Sequence, residues 1–376
     1  MNSSMYRKKI SESRSFLVIP LILSLLISIF LVYNSSSTYA YDYFGSEYYF
    51  LINQTIWIFV GSIMFFIIQK IPDSFFNKLL VPVYFAALFL LFFMLFPTPF
   101  SLEAYGARRW FLINPEPFPA IPYINRLGFQ PSEFMKLLIC LLLPKVLLSV
   151  RSMVSTKDKI IKYLIYLIVP VLLVLLEPDL KNAVLILCIG LTILFVSGFN
   201  VKYFFYSVPV LLALALLLIV TSPYRMERLK TYLGNDSGSS YHVKQINIAL
   251  GSGGLFGVGL GQSRQKVEYL PEVVGDSIFA ILGEEFGFVG SFVLISILFY
   301  LFLSLYKSIY LIKDISKKLT VTGIFTWYGL QVFLNLGAVS GVIPLTGVPL
   351  PLISYGGSSL LFIMSAIAFV YKYIKS

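Results

Sequence analysis

Residues 251–287 read GSGGLFGVGLGQSRQKVEYLPEVVGDSIFAILGEEFG. Six glycines open the stretch (Gly251, Gly253, Gly254, Gly257, Gly259 and Gly261). They disfavour a spanning helix and suit a non-helical chain that bends sharply or lets a neighbour come close. Two cations follow, Arg264 and Lys266, and then one carboxylate, Asp276, where a long apolar run begins. That run extends to about residue 306, which is more than enough to cross a bilayer. A flexible segment, cations and a lone acid are thus set against a membrane edge. The fold class that follows is an all-α integral membrane protein whose polar chemistry sits at one surface.

Composition agrees. Of 376 residues 58% are hydrophobic and 12% are charged, against about 25% charged in soluble domains, and mean hydropathy is +0.84. No polar segment is long enough for a second globular unit, so residues 1–376 read as a single polytopic membrane domain. Cys140 and Cys188 both lie in apolar runs, which favours core packing over a disulfide. Arg7, Lys8 and Lys9 precede the first apolar run, but the run is longer than a signal-peptide core and lacks a clear cleavage site. It reads as the first span.

Apolar runs of spanning length fall at about 15–33, 53–70, 76–96, 132–150, 160–176, 182–198, 201–221, 276–306, 319–340 and 358–374. About ten helices place both termini on one side. Charges orient the bundle: Lys70, Lys78, Arg151, Lys157, Lys159, Lys162, Lys202, Lys307, Lys313, Lys317 and Lys318 all fall in the loops that a cytoplasmic N-terminus puts inside. The cations that break this pattern gather in two long outer loops, 97–131 and 222–275, among them Arg108, Arg109, Arg126, Arg225, Arg228, Lys244, Arg264 and Lys266. Long outer loops tolerate cations, yet an outward basic site for an anionic ligand fits the clustering.

The remaining segments carry local signals. Residues 34–52 read as a Tyr/Ser/Asn-rich outer loop, with chance-prone glycosylation sequons at Asn34 and Asn53. Pro131 suits a first helical turn, and Glu133 and Lys136 lie three apart on one face. They form either a helix-start ion pair or a charged pair facing a cavity. Asp179 suits a helix N-cap. Glu284 and Glu285 lie two turns into a span and require buried partners, and Gly283 and Gly287 permit close contact there. The last outer segment, 341–359, is apolar but broken by Pro344, Pro349 and Pro351, and reads as a re-entrant segment. Its end, from Ser354 through Gly356, Gly357 and Ser358, opens a helix. It suits either a phosphate seat on free N–H groups or a plain N-cap by Ser358.

Together these segments resemble the SEDS (FtsW/RodA) family of peptidoglycan glycosyltransferases. The likeness rests on Gly106-Ala107-Arg108-Arg109-Trp110, Gln130-Pro131-Ser132-Glu133-Phe134 with Lys136, Pro178-Asp179-Leu180, Gly251 to Gly261, Leu270-Pro271-Glu272 with Asp276, and residues 349–359. The run from Gly259 to Glu272 looks more like the division type, FtsW, than the elongation type, RodA. Two departures stand out. Val274-Gly275 precede Asp276 where the family usually has His-Thr, and Glu177 and Lys181 flank Pro178-Asp179-Leu180 where Gln and Gly are usual.

The resemblance implies an enzyme that polymerises lipid II into glycan strands at the outer face of the cytoplasmic membrane, at the division septum, and releases undecaprenyl diphosphate. It also implies a class B penicillin-binding transpeptidase and other divisome membrane proteins as partners, and no nucleic acid. The residue inventory suits that chemistry. Glycosidases need an acid for a poor alkoxide leaving group, whereas a diphosphate leaves as a stable anion. One base and flanking cations then suffice. Asp276 is the expected base, with Arg109, Glu133, Lys136, Arg264, Lys266, Ser354, Gly356, Gly357 and Ser358 around the substrate. A divalent cation, Mg2+ or Mn2+, is left open as a cofactor. Two other classes remain open on sequence alone: a flippase or transporter of a lipid-linked substrate, and a non-catalytic scaffold in which Asp276 only caps a helix.

Overall fold

Nine of the ten predicted spans are helices in the computed structural model, which describes residues 3–104, 107–119, 121, 126–149, 156–198, 226, 230, 232, 240–268 and 274–375. The predicted span 201–221 lies outside the described residues, as do Gly106, Arg225, Arg228 and Leu270-Pro271-Glu272. In chain order the elements are α1 (Ser3–Phe44), α2 (Tyr49–Lys70), α3 (Asp73–Met94), β1 (Ser101–Ala104), β2 (Ala107–Leu112), β3 (Gly128–Phe129), α4 (Pro131–Ser149), α5 (Thr156–Leu176) and α6 (Leu180–Val196). They continue with α7 (Ser240–Ser252), α8 (Gln265–Glu268), α9 (Ile278–Leu311), α10 (Ile315–Val339) and α11 (Gly357–Tyr373). Five of these helices are long and apolar enough to cross a membrane by themselves, namely α2, α3, α9, α10 and residues 12–44 of α1.

Local chemistry explains most helix ends. Pro131 opens α4, where its missing N–H costs nothing. Asp179 caps α6 by accepting from the Asn182 N–H at 3.3 Å, and Asp314 caps α10 by accepting from Lys317 at 2.9 Å. The helix α4 packs against α3, α5, α6, α10 and α11 and is buried along almost its whole length. Its charged residues therefore face protein rather than lipid.

The two ends of the bundle are chemically distinct. Asp73, at the start of α3, accepts Lys317 at 2.7 Å and Lys372 at 2.9 Å. Arg14 in α1 donates to the Tyr371 carbonyl at 3.3 Å. The N-terminal part of α1 and the C-terminal part of α11 thus share one end, the end that the charge pattern assigns to the cytoplasm. Lys157 lies in a stretch whose side chains are not described.

Three expectations change. Helix α1 runs to Phe44, so the predicted outer loop 34–52 shrinks to a turn before α2. Its Asn34 is then an interior helix residue and no surface sequon. The outer loop 97–131 is not irregular throughout but folds β1, β2 and β3 into a three-stranded antiparallel sheet. Gly251 lies within α7, so the non-helical stretch begins two residues later than expected.

One glycine decides the path of α9. At Gly287 the backbone takes φ 63° and ψ −157°, breaking the helix, and a Cβ there would lie 2.4 Å from the Gly257 nitrogen. Both strain and collision oppose any side chain. Gly287→Ala is expected to lower the melting temperature in detergent by several degrees. Gly251→Ala, in a helix with nothing within 4 Å, is expected to be neutral or mildly stabilising. Equal melting temperatures for the two variants would contradict this account.

Candidate active site

The four residues that lead into α9, Val274 to Ser277, are held from three directions. Asn335 on α10 donates its amide to the Asp276 carbonyl at 3.0 Å and to the Val348 carbonyl at 2.7 Å. The Tyr355 N–H donates to the Val274 carbonyl at 2.9 Å. His242 Nε2 on α7 lies 2.8 Å from Ser277 Oγ. Asp276 itself is 9% exposed. Ser277, not Asp276, occupies the N-cap position of α9, so the acid stands one residue ahead of the cap. That removes the simplest structural reason for a carboxylate here. The sequence offered no signal for His242, which is 35 residues from Ser277.

The segment 341–356 is non-helical, as expected, and its backbone is closed internally: Ser354 Oγ accepts from the Leu350 N–H at 2.9 Å. Ser358 Oγ accepts from the Gln130 N–H at 3.0 Å, just ahead of α4, while Gly356 holds the N-cap place of α11. Ser358 is therefore no cap for its own helix. Gly357 is a packing glycine, since a Cβ there would lie 2.1 Å from Trp57 on α2. The hydroxyls of Ser354 and Ser358 thus serve intramolecular bonds.

A buried polar layer joins α4, α6 and α10. Lys136, 0% exposed, pairs with Glu133 at 2.7 Å and lies 5.1 Å from the Trp327 ring centroid. Asp179 accepts from Gln130 and from the Asn182 side chain, both at 2.8 Å. Trp327 Nε1 donates to Gln331 at 2.8 Å, and Gln331 donates to the Pro349 carbonyl and to Ser359 Oγ, each at 3.2 Å. A continuous chain thus runs from the Lys136 pair through α10 to the segment that holds Asp276.

Arg109 and Lys266 are occupied rather than presented. Arg109 on β2 donates to the main-chain carbonyls of Glu177 at 3.2 Å and Pro178 at 2.7 Å, tying the sheet to the α5–α6 turn. Lys266 is buried against Glu285 at 2.7 Å and Asn34 Oδ1 at 3.2 Å. Glu284 accepts from Ser263 Oγ at 2.5 Å and from the Arg264 N–H at 3.2 Å. The buried partners that Glu284 and Glu285 required are therefore found, in the stretch just after the glycines. Arg264 keeps an exposed side chain.

Glu177, one of the two departures in its motif, is 2% exposed, and neither carboxyl oxygen has a hydrogen-bond partner among the described residues. It lines a cavity of about 200 Å³ with Glu103, Arg108 and Pro178. Burial, with a smaller push from Asp179 and against the pull of Arg109, raises its pKa to about 9. The group is then a neutral acid at physiological pH, close in shape and charge to the glutamine it replaces. Because the folded value lies above the ordinary 4.5, its stabilising contribution is complete below about pH 4.5 and is lost as pH rises through about 9. Glu177→Gln is expected to retain near-normal activity and to flatten the decline in melting temperature between those limits. An unchanged pH profile in the Gln variant would show that Glu177 is ionised throughout.

The structure brings Asp276 beside the 348–355 segment, and Glu133 with Lys136 into the adjoining polar layer. It places Arg109 and Lys266 in separate intramolecular clamps. Among the described residues no group of three or more His, Cys, Asp or Glu side chains could hold a metal ion.

Residues 14–375 match the family model FtsW/RodA/SpoVE, described as cell cycle protein. The chain is 36% identical to a probable peptidoglycan glycosyltransferase FtsW of Nitrosomonas europaea, over 98% of this chain and 95% of that one. It superposes on a chain from a structure of a peptidoglycan synthase complex that coordinates polymerization and crosslinking, with TM-score 0.72 and 27% identity over 94% and 96% of the two chains. It is also similar to the rod shape determining protein RodA of Thermus thermophilus, with TM-score 0.67 and 27% identity over 94% and 95%.

Proposed function

The chain belongs to the FtsW/RodA/SpoVE family of cell cycle proteins, and we propose on that premise that it is a peptidoglycan glycosyltransferase of the division type. Its substrate is lipid II, its product a glycan strand, and its leaving group undecaprenyl diphosphate. The observation that carries the reading is the held turn at Asp276: one buried acid, one residue ahead of the helix cap, on a backbone fixed by Asn335 and Tyr355. Asp276 accepts the proton of the acceptor hydroxyl as that oxygen attacks the anomeric carbon. The diphosphate departs as an anion and needs no acid. Arg264 is the cation proposed to meet it, supported by its exposed side chain on a backbone fixed by Glu284.

The setting follows from the same reading. The protein lies in the cytoplasmic membrane with both termini inside and acts at the septum, beside other divisome membrane proteins. A class B penicillin-binding transpeptidase is the proposed partner, in keeping with the synthase complex that one solved relative comes from. The direct test incubates purified protein, with and without such a partner, with lipid II and looks for polymer. Failure to polymerise in either arm, with movement of lipid II between leaflets instead, would replace the enzyme by a flippase. Orientation is checked with single cysteines at Lys317 and Arg264, which are expected to label from opposite faces with an impermeant reagent.

A further inference from the structure

The glycine-rich stretch reads in sequence as a flexible aqueous loop, yet its backbone is closed against the break in α9. The Val258 and Gly259 N–H groups donate to the Glu284 and Glu285 carbonyls at 2.9 and 3.2 Å, and Phe288 and Val289 donate back to Gly254 and Leu255 at 2.9 and 3.1 Å. Gly257 N–H turns onto the Gly253 carbonyl at 2.7 Å. The helix break at Gly287 and the loop therefore satisfy each other's backbone groups, which is the condition for irregular chain to survive where water is scarce. The fit has no slack. A Cβ on Gly253 or Gly257 would lie 2.0 Å from the Gly283 or Glu285 carbonyl oxygen.

The side chains of this locked loop point the wrong way for an aqueous surface. Phe256 is 80% exposed, Leu255 65% and Leu260 57%. Phe288 and Phe292, just past the break on α9, are 64% and 61% exposed. That second pair belongs to a span, so its exposed face is turned to lipid. Val289 and Val293 are exposed there as well, and the loop hydrogen-bonds directly to Phe288 and Val289. The loop tip adjoins the lipid-facing surface of α9. We propose that residues 255–260 form a wedge embedded in the outer leaflet, with Leu255, Phe256 and Leu260 in contact with lipid acyl chains. The wedge is anchored from the protein side by the two carboxylates, Glu284 through Ser263 and Glu285 through Lys266.

Site-directed spin labelling in lipid nanodiscs tests it. A nitroxide is placed at Phe256 and, separately, at Leu260. References are Phe292 for lipid and Glu116, whose side chain is 88% exposed in the outer loop, for water. The parent protein, treated in parallel, supplies the background from Cys140 and Cys188. Collision with oxygen, which concentrates in acyl chains, is compared with collision with a water-soluble nickel chelate. The expected oxygen-to-nickel ratio at 256 and 260 matches that at 292 and exceeds that at 116 several-fold. A ratio like that at 116 would overturn the wedge, because the loop would then be in water. Exclusion of both agents would overturn it too, because protein, a second copy or another part of this chain, would then cover the tip.

Discussion

Asp276→Asn is expected to leave the protein folded and inserted at normal levels while polymer formation falls by roughly 10²–10⁴-fold, the usual contribution of a general base. The structure sharpens the reason for expecting a clean result. What binds this turn is the Asp276 carbonyl, held by Asn335, and the Val274 carbonyl, held by Tyr355. Neither bond involves the carboxyl group. Ser277 fills the N-cap place, so no helix cap is lost either. Asn keeps the size of the side chain but cannot take a proton. Glu at the same place extends the carboxylate by one methylene and is expected to retain partial activity. Melting temperature and partner binding should be unchanged in all three proteins. An Asn variant that makes glycan at close to the parental rate would remove Asp276 from the chemistry and send the search for a base elsewhere.

Lys136→Met is expected to have the largest effect on stability. Lys136 is wholly buried and its partner Glu133 is 3% exposed. Removing the lysine leaves an uncompensated buried carboxylate, a loss of about 3–5 kcal/mol where such pairs have been broken. The double variant Glu133→Leu/Lys136→Met removes both charges and is expected to recover most of that stability, since apolar replacements of buried pairs are often neutral. Activity is expected to part company with stability. Among the described residues the pair is linked to the Asp276 turn through Trp327, Gln331 and the 348–355 segment, which makes Lys136 a positioning residue in this conformation. The refolded double variant should therefore polymerise at least tenfold slower through a fall in kcat, with KM little changed. Full activity restored together with stability would show that the pair serves the fold alone. Arg109→Gln is a useful contrast. It cuts the tie between the sheet and the α5–α6 turn, and is expected to weaken that junction more than it weakens substrate contact.

Much of this protein was legible from composition and order alone. Apolar length produced the spans because a bilayer demands about 20 apolar residues per crossing. The lysine and arginine asymmetry produced the two ends, and the meeting of Asp73 with Lys317 and Lys372 follows the same division. Buried partners for Glu284 and Glu285 could be required in advance, because an isolated charge at that depth is too costly to leave bare. What could not be read was which cation would meet which acid. Lys266 and Arg264 stand two residues apart, yet one is buried on Glu285 and the other exposed, a difference set by α8 and by Asn34 on a helix more than 200 residues away. Arg109, expected among the residues around the substrate, holds two carbonyls of a turn, a contact that its own segment did not signal. Ser358 suited either a phosphate seat or a cap for its own helix, and it receives the chain ahead of another. Periodicity and spacing report burial and local geometry within one segment. Pairing between segments depends on which ends of which helices are brought within 3 Å, and that is decided only when α4, α9, α10 and α11 pack.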